Sequence, residues 1–177
     1  LRPLITLYFL RGERKEIEPD GPGDFSNTVH LITDNGKIYD LSSGNYTLEY
    51  TMDGVIVVKG DKYSFYHDTL YFRPDQQLYN ELFVPGGANY SMLLPDGTRV
   101  YLNSKSSIRF PANFLDTLRE VEISGEVYFD VKKDTLRPFV VKTTHYSILV
   151  TGTRFCVSAY SDDDWSRTTL EEGAVSI

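Results

Sequence analysis

Apolar and polar positions alternate along much of the chain with the period of two that marks β-strands. The pattern is clearest over residues 120–131, where the apolar residues share one parity and the acidic residues share the other. Successive side chains of a strand point to opposite faces, so this alternation predicts a strand with one buried and one solvated face. The apolar set is Val121, Ile123, Val127, Phe129 and Val131, and the acidic set is Glu120, Glu122, Glu126 and Asp130. Gly125 stands on the apolar parity, which predicts a bulge or a close backbone approach there.

A second irregularity lies near Gly152. Ile148 and Val150 share one parity, whereas Phe155 and Val157 share the other. A bulge at Gly152-Thr153 would keep both sets buried, and we predict one at that position.

From Phe25 onward, most of the chain consists of short apolar runs separated by turn residues, which is the pattern of successive β-strands. We predict strands over 46–50, 55–59, 63–66 and 69–72, separated by Gly44-Asn45, Asp53-Gly54, Gly60-Asp61 and His67-Asp68. The fold class is therefore all-β, with little or no helix. Gly97, Gly125, Gly152 and Gly173 recur at nearly regular intervals. This recurrence fits a short β-solenoid with a glycine at each corner, and a twisted β-sandwich built from hairpins fits nearly as well.

Two hairpin-like segments, 30–42 and 91–103, resemble each other when they are aligned without a gap. In the later segment Pro95 sets φ at the first central turn position, and Gly97 accepts the positive φ that follows. In the earlier segment Asn35-Gly36 offers similar turn chemistry. A true repeat and two unrelated hairpins with the same turn residues both explain the similarity.

Charge and composition narrow the possible partners and environments. The 177 residues carry a net charge of −7 and few clustered Lys or Arg residues, which argues against nucleic acid and anionic membranes as partners. The single Cys156 forbids an internal disulfide. No transmembrane segment or signal peptide is evident, since the apolar stretch at residues 1–10 has about half the length of a crossing helix. Residues 1–24 are expected to form an exposed leader or linker, because residues 11–24 are charged and rich in Gly and Pro.

No arrangement of residues indicates an active site, and we predict no catalytic residue, no cofactor and no metal. His30, His67 and His145 lie in different segments without ligand spacing, so each is expected to be a turn or surface residue. The acidic row on residues 120–130 is better explained as a solvated strand face than as a pair of glycosidase carboxylates. Residues 162–164 lack the alternating ligands of a calcium loop, and Cys156 is expected to be a half-buried filler.

Several ordered motifs resemble those of a FecR-type domain. They begin with Val84-Pro85-Gly86-Gly87-Ala88-Asn89-Tyr90 and Leu94-Pro95-Asp96-Gly97-Thr98, and continue with Phe110-Pro111, residues 121–131, Pro138-Phe139-Val140-Val141 and Val150-Thr151-Gly152-Thr153-Arg154-Phe155. They end with Thr169-Leu170-Glu171-Glu172-Gly173-Ala174-Val175. The resemblance assigns residues 84–177 to a FecR-type β domain and residues 25–83 to the β-rich segment that precedes it in the Bacteroidetes branch. Pro85 meets Gly86 directly where the family often has an intervening Arg, so any role of that Arg is in doubt.

The resemblance implies the periplasmic sensor part of an anti-sigma factor that is anchored in the inner membrane by one helix. Such a protein holds an extracytoplasmic-function sigma factor through a cytoplasmic region, which this chain lacks. It receives its signal from the periplasmic signalling domain of a TonB-dependent outer-membrane transporter. The branch often adds a further small α/β domain after the point where this sequence stops.

Two other interpretations remain open from the residues alone. The aromatic content (14%) suits a secreted carbohydrate-binding β module, which an exposed row of coplanar aromatic rings would favour. An adhesin or structural β domain is a further alternative. Under the anti-sigma interpretation the contact surface is expected to be an exposed strand edge. The positions predicted to form structural turns or bulges are Pro95, Asp96, Gly97, Gly125, Gly152 and Gly173.

Overall fold

The computed structural model describes residues 25–33, 36–42 and 77–177 in full, together with the backbone of 46–51, 54–59 and 62–65. These parts of the chain contain fourteen strands and no helix, so the predicted all-β fold is confirmed. The strands are β1 (His30–Ile32), β2 (Ile38–Asp40), β3 (Tyr46–Thr51), β4 (Gly54–Lys59), β5 (Lys62–Phe65), β6 (Tyr79–Val84), β7 (Tyr90–Leu93), β8 (Arg99–Leu102), β9 (Ser106–Pro111), β10 (Arg119–Asp130), β11 (Phe139–Lys142), β12 (Ser147–Val150), β13 (Arg154–Ala159) and β14 (Arg167–Glu172). Within the described residues, no helix is long and apolar enough to cross a membrane.

Eleven of these strands form one open assembly that is joined through the long strand β10. The first half of β10 pairs with β9 and β11 in the order β12-β11-β10-β9-β6-β1-β2, which we call the first sheet. The second half pairs with β8 and β13 in the order β7-β8-β10-β13-β14, which we call the second sheet. A separate three-stranded antiparallel sheet contains β3, β4 and β5.

Gly125 is the residue at which β10 leaves the first sheet and enters the second. Its φ is +92°, in the left-handed region that glycine tolerates best. A Cβ on Gly125 would lie 2.7 Å from the carbonyl oxygen of Lys105 and 2.7 Å from the Cα of Ser106. These atoms lie at the end of the tight turn between β8 and β9 and at the start of β9, where β10 crosses. Strands that switch sheets commonly do so at such bends.

A single hydrophobic core lies between the two sheets. Phe129 of the second sheet contacts Phe155 beside it at 5.2 Å between ring centroids, and Phe139 of the first sheet at 5.9 Å. The inward parity predicted for β10 is the buried one. The segment before the family-like motifs contributes to the same core through Val29, Leu31, Tyr39 and Leu41. The division at residue 84 stays a prediction, although the two predicted units share this core.

The two similar hairpins have the same backbone pairing. Ile32 pairs with Ile38 and Leu93 pairs with Arg99, so the register is the same at the aligned positions. In both, the N–H of the turn glycine donates 2.8 Å to the carbonyl three positions earlier, from Gly36 to Thr33 and from Gly97 to Leu94. The similarity therefore extends to the hydrogen bonds of the turns.

The structure decides one alternative that the sequence left open and differs from one further prediction. Within the described residues only β10 and β11 pair in parallel, and all other pairs are antiparallel, as in a twisted sandwich rather than in the stacked coils of a β-solenoid. Gly152 and Thr153 form a turn between β12 and β13 rather than a bulge within one strand. The change of parity is possible because these strands belong to different sheets. The register shift lies instead on β14, where Glu171 is passed over between Leu170 and Glu172.

Some predictions fall outside the described residues. They are the leader over 1–24, the strand over 69–72, Asn35 of the earlier turn, the turns Gly44-Asn45, Gly60-Asp61 and His67-Asp68, and Asp53 of a further turn.

Candidate interaction surface on the second sheet

The outer face of the second sheet carries a continuous row of side chains across all five of its strands. The pairing register places Tyr101 opposite Tyr128, and Tyr128 opposite Cys156 on its other side. The complete row is Ser91, Tyr101, Tyr128, Cys156 and Thr169. Because every member lies on the parity opposite to the core, the row faces away from the hydrophobic interior.

Tyr101 and Tyr128 form an aromatic corner in the middle of this row. Their ring centroids are 5.8 Å apart and the ring planes meet at 62°, an edge-to-face arrangement favoured by aromatic quadrupoles. Tyr101 is 43% exposed. Tyr128 is half-buried, and the two rings are therefore not the exposed coplanar row that would favour a carbohydrate-binding module.

A groove of about 470 Å³ opens beside this corner. Its other lining residues come from β7, β8, β10, β13 and the adjoining loops: Asn89, Tyr90, Ser91, Leu102, Asn103, Glu126 and Cys156. Among the described residues that line it, Glu126 alone is charged, and Asn103 Nδ2 donates 2.9 Å to its Oε1. The groove thus combines aromatic rings and amides with a carboxylate.

The phenol of Tyr128 is fixed by a carboxylate on the edge strand. Its hydroxyl donates 2.6 Å to Glu171 Oε2, and this hydrogen bond, aided by burial and by the negative charge of Glu171, raises the pKa of Tyr128 to about 12. Glu171 is also the residue passed over in the register of β14. Tyr128 remains protonated and oriented at neutral pH.

A charged row borders the aromatic row on the same face. The register aligns Arg99, Asp130, Arg154 and Glu172 across four strands. Arg154 lies 3.3 Å from Asp130 and 3.0 Å from Glu172, and the hydrogen bond to Asp130 is the main cause of its raised pKa. This part of the surface is electrostatically balanced.

The predicted turn residues Pro95, Asp96 and Gly97 form a hairpin turn that is anchored from beneath. Asp96 Oδ1 accepts from the N–H of Thr98 at 2.9 Å, and Oδ2 accepts from the Thr98 hydroxyl at 2.7 Å. Gly97 has a φ of +87°. Asp96 also receives a third hydrogen bond, from Arg119 Nη1 at 2.6 Å.

Arg119 is the residue that the sequence analysis missed, and its side chain is 1% exposed. Its Nε donates 2.8 Å to the carbonyl of Arg137 and Nη1 donates 2.9 Å to that of Lys132, while the guanidinium lies over Phe139. The buried charge is thus paired and hydrogen-bonded, as buried charges must be. Arg119 shares the inward parity of β10, and a charged residue on that parity is a sequence signal for a buried partner.

Gly152 and Gly173 lie at a shared contact between two turns. A Cβ on Gly152 would lie 2.8 Å from the Cα of Lys133, and one on Gly173 would lie 3.2 Å from the carbonyl oxygen of Gly152. Thr153 Oγ1 donates 2.9 Å to the carbonyl of Ala174 across the same contact. Of the six predicted turn residues, the structure groups Pro95, Asp96 and Gly97 in one turn, places Gly152 and Gly173 together, and leaves Gly125 at the sheet crossing.

Other candidate chemical groups have structural partners. His30 is a buried strand residue between Phe25 and Phe83, not the turn or surface residue that was predicted, whereas His145 is exposed and contacts Ser166. His67 lies outside the described residues. Burial raises the pKa of the Cys156 thiol, which is half-buried. In the part of the chain that the structure describes, no cluster of His, Cys, Asp or Glu could hold a metal.

Each acidic residue of β10 contacts a polar or basic neighbour on the outer face. Glu120 lies 2.6 Å from Lys142, and Glu122 lies 3.3 Å from Arg109. Glu126 and Asp130 have the partners given above. The acidic row predicted to face solvent does so, but Gly125 divides it between the two sheets.

Comparison with known proteins identifies similar chains. A family model described as FecR protein matches residues 81–176. Two crystal structures of a “putative anti-sigma factor” from Parabacteroides distasonis are 37% and 36% identical over 54% and 55% of this chain, with TM-scores of 0.53 and 0.54. The matches cover 45% and 46% of those two chains, so this chain spans about half of their length. No curated protein matches the sequence.

Proposed function

The chain belongs to the FecR protein family, and on that premise we propose that it is the sensor part of an anti-sigma factor. The family match over residues 81–176 is the observation that carries this proposal. The two similar Parabacteroides structures, described as those of an anti-sigma factor, support it. The family is regulatory and non-enzymatic, and its domains are generally periplasmic parts of membrane-anchored anti-sigma factors.

The geometry supports recognition rather than catalysis. The most buried ionic group among the described residues, Arg119, is 1% exposed and holds Asp96 and backbone carbonyls, so its role is in the fold. The polar side chains with room beside them line a shallow groove on a sheet face, which is a surface suited to binding.

The finer proposal concerns the partners. We propose that the domain lies in the periplasm and receives its signal from the signalling domain of a TonB-dependent transporter. A cytoplasmic region of the parent protein, anchored through the inner membrane, would then control an extracytoplasmic-function sigma factor. The second sheet offers two edge strands for contact by strand addition, since within the described residues β7 and β14 each pair on one side only.

A deletion experiment in the native host tests the regulatory role. The gene of the parent protein is removed. Transcription is then measured from promoters that the sigma factor encoded next to this gene recognises, with and without the substrate of the transporter. We expect transcription to lose its dependence on that substrate. An unchanged response in the deletion strain would overturn the proposal.

Titration calorimetry tests the partner. The chain, alone and extended by the segment that follows it in the parent protein, is titrated with the purified signalling domain of the neighbouring transporter. Saturable heat is expected for at least one form. Absence of both heat and chemical-shift changes with the extended form would remove the transporter from the proposal.

The carbohydrate-binding alternative finds less support in the described residues. The exposed Tyr101 and the half-buried Tyr128 meet at 62°, and the nearly parallel ring pair, Phe129 and Phe155 at 17°, is buried in the core. A flat sugar ring would find no exposed coplanar platform on this described face.

A further inference from the structure

The groove on the second sheet combines two features that together recognise a cation. Aromatic faces attract cations through the ring quadrupole, and a carboxylate beside them supplies the opposite charge. Here Tyr101 and Tyr128 form two walls of a corner, and Glu126 is the charged residue among the described side chains of the lining. The chain as a whole carries a net charge of −7, which favours the approach of a basic partner.

The walls of this groove are held in place before any ligand arrives. Tyr128 is fixed through its hydroxyl by Glu171 at 2.6 Å, and Glu126 is fixed by Asn103 at 2.9 Å. Preorganised side chains lose little conformational entropy on binding, which increases affinity. Tyr101 is 43% exposed and is the wall that a ligand would cover.

Two arginines near this carboxylate, Arg154 and Arg167, are engaged elsewhere, and the described hydrogen bond to the Glu126 carboxylate comes from Asn103. Arg154 is paired with Asp130 and Glu172 in the bordering row. Arg167, two strands away from Glu126 in the register, lies over the ring of Trp165. The volume of about 470 Å³ falls within the range of about 300–1,000 Å³ that is usual for small-ligand sites, and suffices for one long side chain.

We propose that the groove between Tyr101 and Tyr128 binds an arginine or lysine side chain of the signalling partner. This inference rests on the proposed function, because it takes the partner to be a folded protein that docks on the second sheet. The cation lies in the aromatic corner and pairs with Glu126, so that the groove contributes both affinity and the register of docking. Edge strand β7 borders the groove, so a partner segment beside it can reach the corner.

The first experiment uses a probe that does not depend on the identity of the partner. The isotopically labelled chain is titrated with the blocked peptide Gly-Arg-Gly, with its citrulline counterpart, and with a neutral oligosaccharide, and amide chemical shifts are followed. We expect saturable changes at Tyr101, Glu126 and Tyr128 with the arginine peptide and none with the citrulline peptide. Changes with the oligosaccharide alone would support the carbohydrate interpretation and overturn the cation site. No change with any probe would also overturn the cation site.

The second experiment uses the signalling domain of the neighbouring transporter. Tyr101→Ala and Glu126→Gln should each weaken its binding by about five-fold or more, through loss of the cation–π contact and of the ion pair respectively. Glu122→Gln is the matched control, because it removes one exposed carboxylate from the first sheet with the same change in net charge. Tyr79→Ala is the corresponding aromatic control.

The outcomes separate this inference from the proposed function. If the wild-type chain binds the signalling domain and both groove variants bind it as tightly as the controls, the groove is not the site and the sensor role stands. If the transcriptional response survives deletion of the parent gene, while the arginine peptide still changes the amide chemical shifts of the groove residues, the cation site stands and the sensor role fails.

Discussion

Replacing Arg119 by Met tests whether the buried guanidinium holds the turn and loops around it together. Met has a similar length and no charge, so the packing against Phe139 is largely preserved. The change removes the donor to Asp96 at 2.6 Å and the donors to the carbonyls of Lys132 and Arg137 at 2.9 and 2.8 Å.

The expected loss of stability follows from what the substitution leaves behind. Asp96, whose side chain is 5% exposed, keeps its two hydrogen bonds from Thr98 but loses the opposite charge. Removing one partner of a buried ion pair costs about 3–5 kcal/mol. Each carbonyl left without a donor adds about 1–3 kcal/mol where water cannot reach it. We therefore expect the free energy of unfolding to fall by at least about 3 kcal/mol.

Urea unfolding followed by circular dichroism measures this loss. The control is Glu122→Gln, whose ion pair with Arg109 is 3.3 Å long and about half exposed, and which should change stability by less than about 1 kcal/mol. The double variant Asp96→Asn, Arg119→Met should cost less than the sum of the two single variants, because neither charge is then left alone. Equal unfolding midpoints for Arg119→Met and Glu122→Gln would show that the buried ion pair does not stabilise the fold.

Three further predictions address other parts of the site. Gly125→Ala should lower the free energy of unfolding by about 2–5 kcal/mol, because of the positive φ and the backbone contact. Gly97→Ala is the control and should lower it by about 1–2 kcal/mol, because Gly97 has a similar φ but only a flexible lysine side chain nearby. Equal urea midpoints for the two variants would argue against the steric contact at Gly125. Tyr128 should titrate near pH 12 by ultraviolet absorbance, and Glu171→Gln should lower its pKa toward the ordinary value. Because the folded-state pKa lies above the unfolded value of about 10, the stabilisation from this hydrogen bond is complete below about pH 10 and is lost as the pH rises through about 12. A Tyr128 pKa that Glu171→Gln leaves unchanged would contradict the role of Glu171 in raising it. Cys156 should react with a thiol reagent more slowly in the native chain than in urea, because burial raises its pKa, and equal rates in the two conditions would contradict a raised pKa.

Local chemistry was sufficient for much of the fold. The period of two in β10 predicted its buried and solvated faces, because side-chain direction in a strand depends only on position along it. The turn residues Pro95 and Gly97 predicted their hairpin because each restricts or permits a backbone angle in its own residue. The order of such motifs also carried the resemblance to the FecR family.

The contacts between those elements depend on the folded chain and cannot be predicted from local patterns. Gly152 is an example. A bulge and a turn explain the change of parity there equally well, and only the assignment of β12 and β13 to different sheets distinguishes them. The groove could not be predicted either. Tyr101 and Tyr128 lie on strands that are well separated in the sequence, and they become neighbours only through the register of β8 on β10, which depends on pairing between distant segments.

Local patterns along the chain are therefore sufficient to predict the all-β class, the faces of its strands and the chemistry of its turns, since these depend on each residue and its immediate neighbours. Three features depend on the folded chain: β10 crosses between two sheets at Gly125, Arg119 reaches Asp96 beneath the turn, and two tyrosines form a corner beside Glu126. Each of these is a contact between segments far apart in the chain, and such contacts are set by the packing of the whole core.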